Sequence, residues 1–475
     1  SLVGTSSVIV VLRWACRGNG GWCTDPARPA RPENSVYPVN IFPACVIVKG
    51  MTDAVPVAPN AATRQRNLRE ANLALVLAHI ARAGSITRAE LASATGLTRV
   101  TVSGLVDELM AGGLVAEAAP VPRAGAGRPA TGLTLATTGP AGLGLEINVD
   151  YLSAGVVDLS GATRVLRVRH RDQRGRRPAR VIADLARLAD EVRATAAAEG
   201  LLVAGICVGV PGLVNGNGLV RVAPNLGWRD VDVKAALRTA LGESTSHVAV
   251  TVENEANLAA LAELHAHPEP APSFVYISGE IGVGAGLVLE GRLLRGPRGY
   301  GGELGHVTIS PDGPPCRCGA RGCLEAYTNQ EALLRAAGLP PATENPAEVL
   351  RARAEAGDRQ VLAALADAGT ALGVAAADVV NLIDVDTVVL GGVFAPLAPW
   401  LSGPVTREVA ARTVTSSWAP VTVRAAALGA TATVVGAAGS VVRAILEAPA
   451  AWLASPAAAA PRGSAASESS PGDQE

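Results

Sequence analysis

Three cysteines and a histidine fall within eighteen residues, from His306 to Cys323. Three thiolates and one imidazole complete the tetrahedral set of a structural zinc site, with His306, Cys316, Cys318 and Cys323 as ligands. Gly319 and Gly322 let such a loop turn tightly around one ion. The competing reading, a redox cysteine cluster, lacks Cys-x-x-Cys spacing and leaves the histidine unexplained. Two carboxylates, Glu303 and Glu325, flank a coordination shell that is already full, so they are free to bind something else.

These residues need a scaffold, and from Gly142 onward the chain alternates apolar strands, glycine turns and helices. Leu143 to Leu159 reads as two strands, and Val203 to Val210 as a third that ends in Gly209-Val210-Pro211-Gly212. Val248 to Val252 leads into Glu253-Asn254-Glu255-Ala256-Asn257 at a helix start. Phe274 to Ser278, a turn at 282–286, and Thr387 to Leu390 before Gly391-Gly392 form a second half. This is an α/β pattern in two lobes, with its motifs at strand ends, where ligands collect in such folds.

Ahead of the lobes lies a different pattern. Leu73, Val76, Leu77 and Ile80 follow helical spacing between Arg66 and Ala83. Thr87 and Glu90 form a capping box for a second helix that ends at Gly96. Thr98 caps a third, Arg99 to Met110, with Val102, Leu105, Val106 and Leu109 inward. Strands either side of a turn at 123–129 make a wing. This winged helix-turn-helix would read DNA through Thr98, Arg99, Thr101 and Ser103 in the major groove, with Arg123 and Arg128 on the backbone or minor groove. The segment from Ala61 to Thr131 holds eight Arg against five Asp plus Glu, a local excess in a chain whose net charge is −1. Hydroxyls and arginine on the outer helix face favour DNA over a purely protein-binding use.

In order, Gly209-Val210-Pro211-Gly212, Pro224-Asn225-Leu226-Gly227-Trp228, Glu253-Asn254-Glu255-Ala256-Asn257, Gly302-Glu303-Leu304-Gly305-His306 and the cysteine loop ending Cys323-Leu324-Glu325 resemble the ROK family of bacterial sugar kinases and sugar-responsive repressors. The resemblance covers roughly residues 66–446 and includes the amino-terminal winged helix that the repressors carry. It implies two actin-like, ribonuclease-H-like lobes around a sugar cleft. It also implies that Asn254, Glu255, Glu303, His306 and Glu325 hold the sugar hydroxyls. Carboxylates and amides suit adjacent hydroxyls. His306 can hold zinc through one ring nitrogen and turn the other to the sugar.

The kinases end their first strand in Asp-x-Gly-Gly-Thr, where this chain has Glu146-Ile147-Asn148-Val149-Asp150. Their second phosphate turn includes Gly-Thr-Gly, where this chain has Glu280-Ile281-Gly282, and Glu255 replaces the Asp base. Asp150 and Glu280 would repel a triphosphate. The expectation is therefore a non-enzymatic, sugar-responsive transcriptional repressor, with a DNA operator and a sugar effector as partners. An active sugar kinase bearing a DNA-binding head, and an activator using the cleft only as scaffold, are the rivals. Winged-helix readers work in pairs on pseudo-palindromes, so a homodimer or homotetramer is expected.

Composition sets the remaining bounds. Seven cysteines, three of them in the zinc loop, fit a reduced cytoplasmic chain rather than a disulfide framework. No uninterrupted apolar run approaches the length of a membrane span, so no membrane partner is expected. The domains are expected to be a poorly ordered extension over 1–60 with Met51 as a natural start, a winged helix over 61–137, the two-lobed domain over 138–448, and a disordered Ala/Pro/Ser-rich tail over 449–475.

Overall fold

The computed structural model describes residues 61–121, 130–245, 248–267, 272–455 and 458. The expected extension and the wing-tip residues Arg123 and Arg128 lie outside the described residues. The head begins with helix α1 (Ala61–Ala83), α2 (Arg88–Thr95) and α3 (Arg99–Ala111). The capping box forms as expected: Thr87 Oγ1 accepts from the Glu90 amide, and Glu90 accepts from the Thr87 amide at 2.9 Å. Gly96 closes α2 with φ 69°, a conformation that costs a residue without Cβ little. Strands β1 (Val115–Val121) and β2 (Ala130–Leu135) pair antiparallel to make the wing.

The first lobe is built from β3 (Gly139–Ile147), β4 (Tyr151–Asp158), β5 (Thr163–His170), α4 (Pro178–Ala198) and β6 (Leu201–Val210). A three-stranded insertion follows, β7 (Leu213–Val214), β8 (Val220–Ala223) and β9 (Trp228–Val231), then α5 (Val233–Leu241), β10 (Ala249–Asn254) and α6 (Glu255–Ala266). The second lobe holds β11 (Phe274–Gly279), β12 (Val283–Leu289), β13 (Arg292–Leu293), α7 (Leu324–Thr328), α8 (Gln330–Ala336) and α9 (Pro346–Glu355). It continues through α10 (Arg359–Ile383), β14 (Thr387–Gly392), α11 (Phe394–Arg412) and β15 (Thr422–Ala425). Helices α12 (Ala432–Glu447) and α13 (Pro449–Leu453) end the described chain.

The two main sheets repeat one plan. The first runs β10-β6-β3-β4-β5 and the second β15-β14-β11-β12-β13. In each, three consecutive strands pair antiparallel and two later strands add in parallel. The sequence reading passed over β5. It is an edge strand whose arginines, half-buried at 164 and exposed at 167 and 169, mask the apolar alternation.

Helix α12 wedges between β3 and α6. A Cβ on Gly144 would stand 2.0 Å from the Val434 carbonyl, and one on Gly436 1.9 Å from the Leu258 carbonyl. The farther end of α12 enters the head. Val442 and Ile445 are buried together with Leu77, Leu109 and Leu114 of the winged helix.

One expectation needs correction. The tail was expected to be disordered from 449, yet Pro449–Leu453 is helical and Trp452 is 6% exposed; one indole buries enough surface to order a short helix. By length and average hydropathy α10 and residues 429–447 could also cross a membrane, although no unbroken apolar run marks them. Both are alanine- and glycine-rich helices packed on the sheets, and α10 lies largely in the core of the second lobe.

Candidate functional site

The metal cluster assembles as its spacing suggests. His306 Nδ1 and the three cysteine sulfurs all lie within 4.8 Å of one another. His306 Nδ1 is 3.7 Å from Cys316 Sγ, and Cys318 Sγ is 3.7 Å from Cys323 Sγ. A tetrahedron with metal–sulfur bonds of ~2.3 Å has edges of about 3.8 Å, so the donor set fits a zinc-sized ion. Backbone bonds stitch the loop, Cys316 N to the Ala320 carbonyl and Gly322 N to the Pro314 carbonyl, each at 2.8 Å. A side chain at Gly322 would strike the Ser310 carbonyl.

The loop packs against the cleft between the lobes, a cavity of about 500 Å³. Asn254, Glu255, Glu303, His306 and Glu325 all line it. With Nδ1 turned to the thiolates, His306 Nε2 lies 3.9 Å from Glu303 Oε2 on the cleft side. Glu325 is 8% exposed and accepts from the Val283 amide at 3.2 Å. Asn254 is more committed. Its Oδ1 caps α6 by accepting from Ala256 and Asn257, and its Nδ2 donates to the Gly212 carbonyl at 3.0 Å. Both Oδ1 lone pairs are used, and one amide hydrogen remains for a ligand.

Two residues that the sequence reading missed organise this region. Arg317, between two of the cysteines, reaches Asn225 of the first lobe at 3.1 Å and forks onto Glu331 of the second at 2.7 and 3.0 Å. Glu253 accepts from the Asn254 amide and from Asn257 Nδ2, each at 3.0 Å, and pairs with Arg295. Neither type nor spacing marks these two, because Arg317 finds Asn225 and Glu253 finds Arg295 in distant segments.

The end of the cleft that would face a nucleotide is blocked. The Asn148 amide donates to the Tyr151 carbonyl and the Val149 amide to Asn148 Oδ1. Those backbone donors are spent within the turn and are not free to cradle an anion. Carboxylates surround the turn. Glu146 is 1% exposed and accepts from Tyr151 Oη at 2.8 Å and Ser153 Oγ at 2.9 Å. Burial pushes its carboxyl up to about 7 against those hydrogen bonds. Burial, then the charges of Glu146, Asp150 and Glu303, push Glu255 up to about 8. Glu280 is held well above the usual range by burial and by Glu255, Glu146 and Asp150. Phosphates entering here would meet Asp150 and three buried carboxyl groups that resist ionisation, with the Asn148 and Val149 amides already bonded within the turn.

In the head, Thr98, Arg99 and Thr101 are exposed, and Ser103 is half-buried. Thr98 Oγ1 caps α3 by accepting from the Thr101 amide, and the two hydroxyls lie 2.9 Å apart. Val100, unnoticed in the sequence, is 84% exposed on the same first turn. An apolar side chain standing in solvent there suits a thymine methyl.

Residues 142–443 match the ROK family, and residues 74–125 match the MarR family of winged-helix proteins. The xylose repressor of Bacillus spizizenii is 31% identical over 356 residues, covering 73% of this chain and 88% of the repressor. A crystal structure described as a ROK family transcriptional regulator, homologous to the E. coli MLC protein, superposes with a TM-score of 0.68 at 26% identity. It covers 81% of this chain and 99% of that one. A ROK family glucokinase from Streptomyces griseus, solved with glucose and AMPPNP, reaches a TM-score of 0.55 at 25% identity over 63% of this chain and 98% of the kinase. Because the family match runs from β3 of one lobe to the helix that joins the lobes to the head, this chain belongs to the ROK family.

Proposed function

We propose that this protein is a sugar-responsive transcriptional repressor. One observation carries the reading: Asn254, Glu255, Glu303, His306 and Glu325 line one cavity, while the Asn148 and Val149 amides beside it are bonded within their own turn and Glu280 stands where the kinases have a phosphate turn. Sugar binds at Asn254, Glu255, Glu303, His306 and Glu325. A structural zinc on His306, Cys316, Cys318 and Cys323 fixes the loop that carries part of that set, without taking part in chemistry. Thr98, Arg99, Thr101 and Ser103 read operator DNA, with Arg123 and Arg128 on its backbone. The protein works in the cytoplasm as a homodimer or homotetramer on a pseudo-palindromic operator. Sugar alters DNA binding by favouring one of two arrangements of head and lobes, which requires unequal sugar affinity for the two.

Relatives named xylose repressors make xylose the first effector to try. The test pairs two assays on the full chain. Operator binding is measured with and without xylose, glucose and N-acetylated hexosamines, and ADP release is measured with each sugar and magnesium ATP. One sugar should shift operator affinity, and none should support ADP release. Sugar-dependent ADP release well above the ATP-only control would overturn the reading in favour of a kinase with a DNA-binding head.

A further inference from the structure

The first lobe carries an unusual concentration of arginine. Between Arg164 and Arg193 the chain has ten arginines against four acidic residues, although its net charge is −1. Where β5 ends and meets α4, these side chains enclose a concavity of about 340 Å³. Arg169, His170 and Arg171 form one wall and Arg187 the other. Buried Gln173 and Leu152 floor it.

Asp184 is the one acidic residue in the lining. It is shared by Arg171 at 3.4 Å, Arg176 at 2.7 Å and Arg187. Burial alone would raise its carboxyl; the Arg176 hydrogen bond and the three guanidiniums overcome this and hold it below the usual range. One carboxylate cannot neutralise three guanidiniums. Arg171 and Arg187 remain 62% and 66% exposed, with donors to spare. Arg177 and Arg180 stand exposed nearby, without a salt-bridge partner among the described residues.

We propose that this concavity binds a multivalent oxyanion, namely the phosphoryl group of a phosphorylated metabolite or free inorganic phosphate. Paired guanidiniums match tetrahedral oxyanions in geometry as well as charge. The volume lies within the range of small-molecule pockets and exceeds what a bare ion needs. Operator DNA is the less fitting polyanion. Arg164, at the start of β5, donates to the Thr137 carbonyl in the segment that joins head and lobe. Arg171 lies seven positions farther along, roughly 23 Å away at about 3.3 Å per residue.

The site backs onto the closed turn of the cleft. The Arg171 amide donates to the Asp150 carbonyl at 2.8 Å and the Gln173 amide to the Val149 carbonyl at 2.7 Å. His170 meets the Tyr151 ring edge-on at 6.0 Å, and Tyr151 holds Glu146. An anion between the two walls would steady the turn that carries Asp150.

Calorimetry and thermal unfolding of the full chain test this without any assumption about the sugar. Inorganic phosphate and a hexose phosphate are titrated at constant ionic strength, with chloride and the unphosphorylated hexose as controls. Saturable binding of either phosphate is expected, and which one binds more tightly identifies the source. Arg171→Ala and Arg187→Ala should each weaken it about ten-fold or more, as loss of a charge-assisted hydrogen bond does. Arg351→Ala, which breaks an exposed pair with Glu355 on α9, should leave it unchanged. A response no different from chloride, or full binding in both pocket variants, would overturn the proposal. Arg171-dependent competition by operator DNA would also overturn it, by assigning the surface to DNA.

Discussion

The Trp452 indole N–H donates to the Gly112 carbonyl at 3.0 Å, across 340 positions of sequence. Gly112 caps α3, and Trp452 sits just beyond the end of α12. The other end of α12 touches the cleft, where Thr433 Oγ1 donates to the Glu255 carbonyl at 3.3 Å. Helices α12 and α13 together therefore connect Glu255 of the cleft with the carboxyl-terminal end of α3.

Trp452→Phe should keep most of the packing and lose about 1 kcal/mol with the hydrogen bond. Trp452→Ala should cost about 3–5 kcal/mol. Both should reduce the effect of sugar on operator affinity, read by gel shift with and without sugar, while calorimetry finds sugar affinity nearly unchanged. Undiminished sugar response in Trp452→Ala would show that α12 and its extension do not couple the two sites.

Metal and sugar should separate in two variants. Cys318→Ser is expected to lose zinc and weaken sugar binding, because His306 and the loop lose their anchor. Glu303→Ala should retain zinc and weaken sugar binding about five- to a hundred-fold, the cost of about 1–3 kcal/mol for an unpaired buried hydroxyl. Metal analysis and calorimetry on both proteins check this. Sugar affinity unaltered in a zinc-free Cys318→Ser protein would confine the metal to stapling a remote loop.

Stability should depend on pH through Glu146, whose carboxyl rises from its ordinary 4.5 to about 7 on folding. A raised folded value means that the native state holds the proton longer than the unfolded chain. Its stabilising contribution is complete below about 4.5 and is lost as pH climbs through about 7. Glu146→Gln keeps the volume, and the Ser153 hydroxyl can turn from donor to acceptor. Between pH 5 and 8 the variant should gain on the parent by up to about 3 kcal/mol. Denaturant melts of both proteins across that range would show parallel curves if Glu146 does not titrate as described.

On the DNA face, Arg99→Ala should cost about 1–3 kcal/mol of operator affinity. Arg99 is exposed and has no salt-bridge partner among the described residues. Val100→Ala should cost less and relax discrimination at a single thymine. Gel shifts against single-substituted operators would separate the two. Equal affinity for every substituted operator in parent and Val100→Ala protein would place Val100 away from the bases.

Much of this protein was legible before folding because the relevant physics is local. The Thr87–Glu90 capping box spans four residues, and the cysteine loop carries its ligands and turn glycines in one short run. The α/β alternation is equally local, so periodicity and spacing were enough to read two lobes and a head, while the altered phosphate turn at 148 and 149 followed from the resemblance to the ROK kinases. What escaped depends on partners distant in sequence. Arg317 matters because Asn225 lies 92 positions away. Trp452 turns an expected tail into a helix because the chain returns to Gly112. The arginines of β5 look like surface charge until α4 folds back to set Arg187 opposite Arg171. Glu146 becomes a titrating group because the sheet removes it from water, and burial, unlike residue type, exists only once the chain has closed on itself.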